Sequence, residues 1–268
     1  MRSQTRLSEK LEIKPPLKWA GGKRWLLPHL LPIWRRHARR RLVEPMCGGL
    51  GVALGLLPRE ALLNDINPHA INLYRLLREG LEISAPMEND EAFYYACRDR
   101  FNALIREGRT DTQEAAGLFY YLNRTGFNGL CRFNRSGLYN VPFGRYAKIG
   151  YVRDFRHYAE VFRSWEFNVG DFEAVPLRSG DFAYADPPYD VEFTQYAKEG
   201  FSWDDQVRLA QWLARHDGPV VLSNQATPRI LELYRSLGYR LTLYSAPRSI
   251  SSNGDRTQAV DVLARLRT

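Results

Sequence analysis

Two hydrophobic patterns take turns along the chain, and their order predicts an interrupted α/β protein. Continuous apolar runs bounded by turn residues predict strands at 42–45 and 61–63, the second ending in Asn64-Asp65. A Gly-rich turn and a short apolar helix over 52–57 lie between them. After Pro68 the spacing changes to three and four, predicting helices over 69–79, 91–107 and 112–123, followed by a Gly/Asn-rich segment from 124 to 150 without strand-helix alternation. Alternation returns with strands at 166–169 and 182–185, a helix over 204–215, a strand at 219–222, a helix over 228–236, and strands over 239–245 and 259–266. The last two strands are joined without room for a crossover helix, so they are expected to pair antiparallel at a sheet edge. The predicted architecture is a Rossmann-like α/β domain, residues 15–68 and 165–268, interrupted by a mainly helical insert, 69–164.

Composition adds a partner. The 268 residues are 44% hydrophobic, enough for a real core, and their formal charge of +8 fits a polyanion. Between Tyr120 and Glu160 seven basic residues (Arg124, Arg132, Arg135, Arg145, Lys148, Arg153, Arg156) face two acids, Asp154 and Glu160, among many Phe and Tyr. The run Arg35 to Arg41 closes a predicted helix, where cations suit the dipole, and reads as a solvated helix end. Cys47, Cys97 and Cys131 have no disulfide or zinc spacing, and no apolar run approaches a membrane span. A cytoplasmic, metal-free protein that does not bind membranes is expected.

The sharpest candidate chemistry is Asp186-Pro187-Pro188-Tyr189, just past the strand at 182–185 and so at the edge where open α/β sheets bind ligands. An adenine amine is a poor nucleophile because its lone pair is delocalised into the ring. Acceptors on both N–H bonds draw the nitrogen toward tetrahedral geometry, and the Asp186 carboxylate and Pro187 carbonyl are two such acceptors. The prolines fix φ and hold them rigidly. Tyr189 suits stacking on a base flipped from the duplex. A second element is Glu44-Pro45-Met46-Cys47-Gly48-Gly49 after the first strand with Asp65 ending the next, the layout for a nucleoside ribose. Lys18-Trp19-Ala20-Gly21-Gly22-Lys23 is not a P-loop, because Leu17 and Arg24 stand where that loop needs Gly and Ser/Thr. The segment from Asn123 to Asn134, continuing through Pro142 to Arg145, has the residue types that read a short DNA site: Arg for guanine, Asn for adenine, Leu or Pro for a thymine methyl.

In this order these elements resemble the Dam-type DNA adenine methyltransferases, the alpha-class amino-methyltransferases that modify GATC, over nearly the whole chain from Leu17 to Leu266, including the run Arg248 to Gly254. The resemblance implies an S-adenosylmethionine (AdoMet) pocket from Trp19, Lys23, Glu44, Gly48, Asp65, Asp171 and Phe172, with Asp65 on the ribose and Asp171 near the cofactor's adenine. It implies that Asp186, Pro187, Pro188 and Tyr189 hold the flipped adenine. It also implies double-stranded DNA bound through Lys18, Arg124, Phe127, Asn128, Leu130, Arg132, Asn134, Pro142 and Arg145. Among these Phe127 would intercalate beside Asn128, Leu130, Arg132 and Pro142 would read bases, and Lys18 would contact the first guanine. Two departures stand out. Met46 replaces a usual aromatic and Leu50 interrupts a Gly-x-Gly turn, which bears on AdoMet affinity; the segment from Tyr189 to Phe201 is also shorter than in the bacterial housekeeping enzyme.

Other readings are weaker. Cytosine-C5 chemistry needs a thiolate that usually follows proline, whereas Cys47, Cys97 and Cys131 follow Met46, Ala96 and Leu130. Cytosine-N4 methylation shares the amine logic but commonly uses Ser at the place of Asp186. RNA methylation fits the catalytic residues but not the duplex-reading insert, and a zinc deaminase lacks its His-x-Glu and Pro-Cys-x-x-Cys pattern. A catalytically inactive DNA-binding regulator of the same fold is the alternative outside enzymes. A monomer is favoured.

Overall fold

A computed structural model describes residues 13–83, 86–190, 200–246 and 259–268, so the run from Arg248 to Gly254 and most of the short segment after Tyr189 lie outside the described residues. The chain forms two units, one of residues 25–47, 58–67 and 164–268, the other of 13–24, 48–57 and 68–163. The segment 69–164 read as an insert lies almost wholly in the second unit, together with 13–24 and 48–57.

The first unit is built on a seven-stranded sheet of β1 (Leu42–Glu44), β2 (Ala61–Asp65), β3 (Trp165–Val169), β4 (Phe182–Ala185), β5 (Val220–Gln225), β6 (Arg240–Ala246) and β7 (Ala259–Leu266), in the order β3-β2-β1-β4-β5-β7-β6. The first five are parallel, and β1, β2 and β4 are buried along their whole length. Burial on both faces is why their sequences are continuous apolar runs rather than alternations. The expected antiparallel pair is present, with Arg240 opposite Arg265 and Tyr244 opposite Asp261. Its placement is finer than expected: β7 inserts between β5 and β6, antiparallel to both, and β6 is the edge. Hydrophobicity explains the choice, because Val262, Leu263 and Ala264 of β7 are at most 1% exposed whereas Leu243 of β6 is 53% exposed.

Helices α1 (Leu27–His37), α7 (Trp203–Ala214) and α8 (Pro228–Ser236) belong to this unit. α7 begins at a capping box, Ser202 accepting from the Asp205 amide while the Asp205 carboxylate accepts from Ser202; α8 begins with Thr227 as cap and Pro228 in the first turn. Leu209, Ala210 and Leu213 of α7 and Ile230 and Tyr234 of α8 form one core with Ala183, Leu222 and Val262.

The second unit holds α2 (Ala53–Leu56), α3 (Pro68–Arg78), α4 (Glu91–Arg106), α5 (Gln113–Thr125) and α6 (Arg156–Phe162). Asp90 and Thr112 cap α4 and α5. The short helix α6 has no counterpart in the periodicity of the sequence; it is held by Tyr158 and Phe162, both buried. Aromatic rings dominate this core, with Phe101 beside Phe119 and Tyr139, and His69 stacked on Phe133 at 5.0 Å. Asn102, buried in α4, donates to the Tyr139 carbonyl and accepts from its amide, fixing the segment after α5 onto the helices. Among the described residues no helix is long and apolar enough to cross a membrane.

Candidate active site

At the carboxyl edge of the sheet, four parallel strands deliver acids side by side: Glu44 ends β1, Asp65 ends β2, Asp171 follows β3 and Asp186 follows β4. The backbone between them is stitched by Asn64, whose side chain donates to the carbonyls of Pro45 and Gly170, both at 2.9 Å. The Asp65 carbonyl accepts from the Gly170 amide at 3.1 Å, and its carboxylate accepts from the Asn67 amide at 2.9 Å. Gly170 has φ +148° and open space where a Cβ would stand, so the turn after β3 presents bare backbone. Ile66, directly after Asp65, is 74% exposed, an apolar surface beside the acid. An acid for ribose hydroxyls, an apolar shelf and an open glycine turn fit a nucleoside.

Asp171 is committed locally. Its carboxylate caps the following 3-10 turn through the Glu173 amide and takes both guanidinium nitrogens of Arg208, at 3.0 and 2.8 Å, while that guanidinium lies 4.3 Å over the Phe172 ring. The Arg208 hydrogen bonds hold the Asp171 carboxyl below the ordinary range. Burial, helped by the charges of Asp65 and Glu44, pushes the Cys47 thiol well up, so it is no nucleophile.

The loop 186–190 is held at Asp186, Pro188, Tyr189 and Asp190. Ser223 of β5 donates to Asp186 Oδ1 at 2.8 Å and lies 2.8 Å from the Tyr184 hydroxyl. Because an ionised carboxylate only accepts, Ser223 gives Asp186 its one proton and Tyr184 gives its own to Ser223. Burial and the Asp186 charge push the Tyr184 phenol well up, keeping that donor protonated. Gln206 donates to the Pro188 carbonyl at 2.7 Å and is itself set by Asn224, which donates to both Gln206 and Tyr234. The Tyr189 hydroxyl donates to Asp261 of β7, and Asp190 pairs with Arg229.

In the helical unit, Trp19 packs on the glycine turn so closely that a Cβ on Gly48 would stand 2.7 Å from its indole nitrogen and one on Gly49 2.6 Å from its Cβ. Buried Lys23 donates to the Gly21 carbonyl at 2.7 Å. Leu50 occupies a left-handed conformation, φ +63°, which explains why a glycine would suit that position; its fully buried side chain offsets the strain.

The segment after α5 folds back on itself, with Phe133 bridged to Tyr139 and Gly126 to Phe143. Phe127 stands 46% exposed, and Asn128 and Gly129 are left-handed, at φ +52° and +62°. A Cβ at Gly129 would collide with Lys18 at 2.3 Å. The Lys18 ammonium donates to the Arg124 carbonyl at 2.8 Å and sits 3.8 Å over the Tyr146 ring; burial, then the Arg124 charge, lowers its pKa. Arg124 donates to Gly150. Asn134 caps its turn by accepting from Ser136 and Leu138, Leu130 is half-buried and Pro142 exposed, and Arg145 pairs with Glu91 at 3.1 Å. Exposed Arg132 gives its Nε to the Asn140 side chain at 2.8 Å and one Nη2 proton to the Asn140 carbonyl at 3.2 Å, which turns the far end of the guanidinium outward.

Sequence reasoning missed Ser223, Gln206, Asp261, Ile66 and Asn140. Three left a signal: Ser223 and Asp261 interrupt apolar strands, and Ile66 is an apolar residue straight after a strand-ending acid. Among the described residues no three His, Cys, Asp or Glu side chains form a metal-binding group.

The family model of D12 class N6 adenine-specific DNA methyltransferases matches residues 19–250. The chain is 35% identical to the retron Ec67 DNA adenine methylase of Escherichia coli, over 92% of this chain and 90% of that one. It is 36% identical to the type II methyltransferase M1.LlaDCHI of Lactococcus lactis subsp. cremoris, over 84% and 86%. With the DNA adenine methylase of Escherichia coli K12 the identity is 35%, over 93% and 94%.

Proposed function

The chain belongs to the D12 class of N6 adenine-specific DNA methyltransferases, and from that membership we propose that it flips the adenine of a GATC site out of the duplex and methylates it. Methyl transfer from AdoMet to adenine in DNA follows from the family itself, which disfavours the cytosine-N4 and inactive-regulator alternatives. The carrying observation is the anchored loop 186–190, in which Ser223 holds Asp186, Gln206 holds the Pro188 carbonyl next to Pro187, and Asp261 holds Tyr189.

AdoMet, when bound, supplies an electrophilic methyl. Asp65 would hold ribose hydroxyls and Ile66 the face of the adenosyl base, beside Glu44 and the Gly170–Phe172 turn; the family resemblance also assigns Trp19, Lys23 and Gly48 to AdoMet. Asp186 and the Pro187 carbonyl would accept the two N–H bonds of the target amine, turning its lone pair toward the methyl. The proton released on methylation leaves through solvent. Tyr189 would stack on the flipped base while its hydroxyl stays on Asp261.

In the helical unit Phe127 would fill the gap left by the base, with Asn128 at the displaced pair. Arg132, gripped from behind by Asn140, presents the two-nitrogen end that guanine O6 and N7 take. Leu130 and Pro142 would touch thymine methyls, and Lys18, Arg124, Asn134 and Arg145 would hold the DNA; for Lys18 this means exchanging the Arg124 carbonyl for a guanine acceptor. The functional division is then 15–68 with 165–268 for catalysis and 69–164 for recognition, in a cytoplasmic monomer.

The test is single-molecule mapping of unmethylated plasmid incubated with the protein and AdoMet. N6-methyladenine confined to GATC is expected. Methyladenine in another context would overturn the specificity, and substantial turnover by Asp186→Ala would overturn the catalytic assignment.

A further inference from the structure

The two edges of the sheet carry opposite charge. Acids gather at the carboxyl edge, as described, whereas the opposite edge is lined with arginine. Arg59 precedes β2, Arg39 and Arg40 precede β1, Arg178 precedes β4, Arg240 opens β6, and the reversed strand β7 delivers Arg267 to the same edge. All six are exposed. Hydrogen bonds tie the rim together: Arg40 donates to Gly180 ahead of β4 at 2.8 Å, Arg267 to Gly218 ahead of β5 at 3.0 Å, and Arg240 to Thr268 at 3.5 Å. The exposed acids here are Glu60, Glu166 and Asp217, while Asp181 is buried against Arg41.

Several exposed arginines elsewhere are matched by acids, although among the described residues Arg106, Arg132 and Arg235 are not. Arg100 pairs with Glu114, Arg145 with Glu91, Arg156 with Asp154, and Arg208 with Asp171, Glu173 and Asp205. Among the described residues no ion pair holds Arg39, Arg40, Arg59 or Arg178. A face that was merely solvated would interleave its charges in the same way. Burial together with the charges of Arg40 and Arg36 also holds His37 below its ordinary pKa, a mark of the positive field at this end of α1.

From β2 to β6 the rim crosses five strand spacings, roughly 24 Å at 4.7–4.9 Å each. One strand of B-DNA presents a charge about every 3.4 Å along its axis, or roughly seven over that length. We infer that the amino edge of the sheet is a second, sequence-independent surface for the DNA phosphate backbone, distinct from the residues that read and modify the target. Arginine suits it, since its fork takes two phosphate oxygens at once. A duplex held there would keep the enzyme on DNA between targets, or bridge two segments.

The experiment uses the full chain and two labelled duplexes, one carrying the target adenine and one of unrelated sequence. Energy transfer between them is followed as salt is raised, with target duplex saturating. Wild type is expected to capture the second duplex at low salt and to lose it steeply. Arg39→Gln/Arg59→Gln/Arg178→Gln is expected to weaken that capture at least tenfold and to flatten the log K against log salt slope by about 2.7, 0.9 for each contact removed. Its turnover on a short target duplex and its melting temperature should match wild type, and the corresponding single variants should each flatten the slope by about 0.9. Capture should persist in Asp186→Ala and Arg132→Ala, so a failure of the proposed catalytic or base-reading roles leaves this result standing. An unchanged affinity and slope in the triple variant would overturn the inference, as would rim-dependent binding to phosphatidylserine vesicles without capture of the second duplex.

Discussion

Ser223→Ala tests whether the loop after β4 catalyses by being held. Ser223 is fully buried and its hydroxyl is the donor to Asp186 Oδ1, so alanine removes one hydrogen bond to a charged group and little volume. Such bonds contribute about 1.5–3 kcal/mol. If the bond fixes the carboxylate in the orientation that meets the amine, losing it slows methyl transfer roughly 10- to 100-fold. Tyr184→Phe is the matched control: it removes the donor behind Ser223 but leaves the Ser223 proton on Asp186, so transfer should stay within about threefold. Both variants disturb a buried hydroxyl pair, and Ser223→Ala strands the Tyr184 phenol at about 1–3 kcal/mol. Stability therefore falls in both, and activity separates them. The assay is single-turnover methylation of a short duplex at saturating AdoMet, with AdoMet affinity by calorimetry and unfolding in urea alongside. A Ser223→Ala rate within twofold of wild type, with the loss confined to urea stability, would refute the reasoning and leave the bond purely structural.

Asp181→Ala strands Arg41, which Asp181 holds at Nε and Nη2 with both side chains at most 5% exposed; a loss of about 3–5 kcal/mol in urea unfolding is expected. Arg132→Ala should cost about 1–3 kcal/mol of discrimination at one guanine, and Asn140→Ala, which leaves Arg132 but not its grip, should relax the same position less; equal methylation of all four bases there by wild type would remove the assignment. Burial lowers the pKa of His69 from 6.5 to about 4 where it stacks on Phe133, so the folded state disfavours its protonation. A depressed histidine contributes fully above pH 6.5 and is lost as pH falls toward 4, so urea stability should drop by about 3 kcal/mol across that window and His69→Phe should flatten the slope.

What the sequence reveals here is what lies close together along it. The strands could be located because each parallel strand is one apolar run closed by its own turn, and Asp65, Asp171 and Asp186 are legible because each ends or follows such a run. Leu50 reads as a departure from a glycine turn, and the left-handed backbone at that residue shows the physical demand behind the pattern. The anchors of the loop are another matter. Ser223, Gln206 and Asp261 lie 37, 18 and 72 residues from the atoms they hold, on β5, α7 and β7, and only the pairing of β5 with β4 and β7 brings them to one place. No local periodicity encodes that convergence. A motif of four residues can name a reaction, but the rigidity that makes its acceptors useful comes from side chains scattered over the following 75 residues. Substitutions at those remote positions should therefore change the rate of methyl transfer while leaving the motif intact.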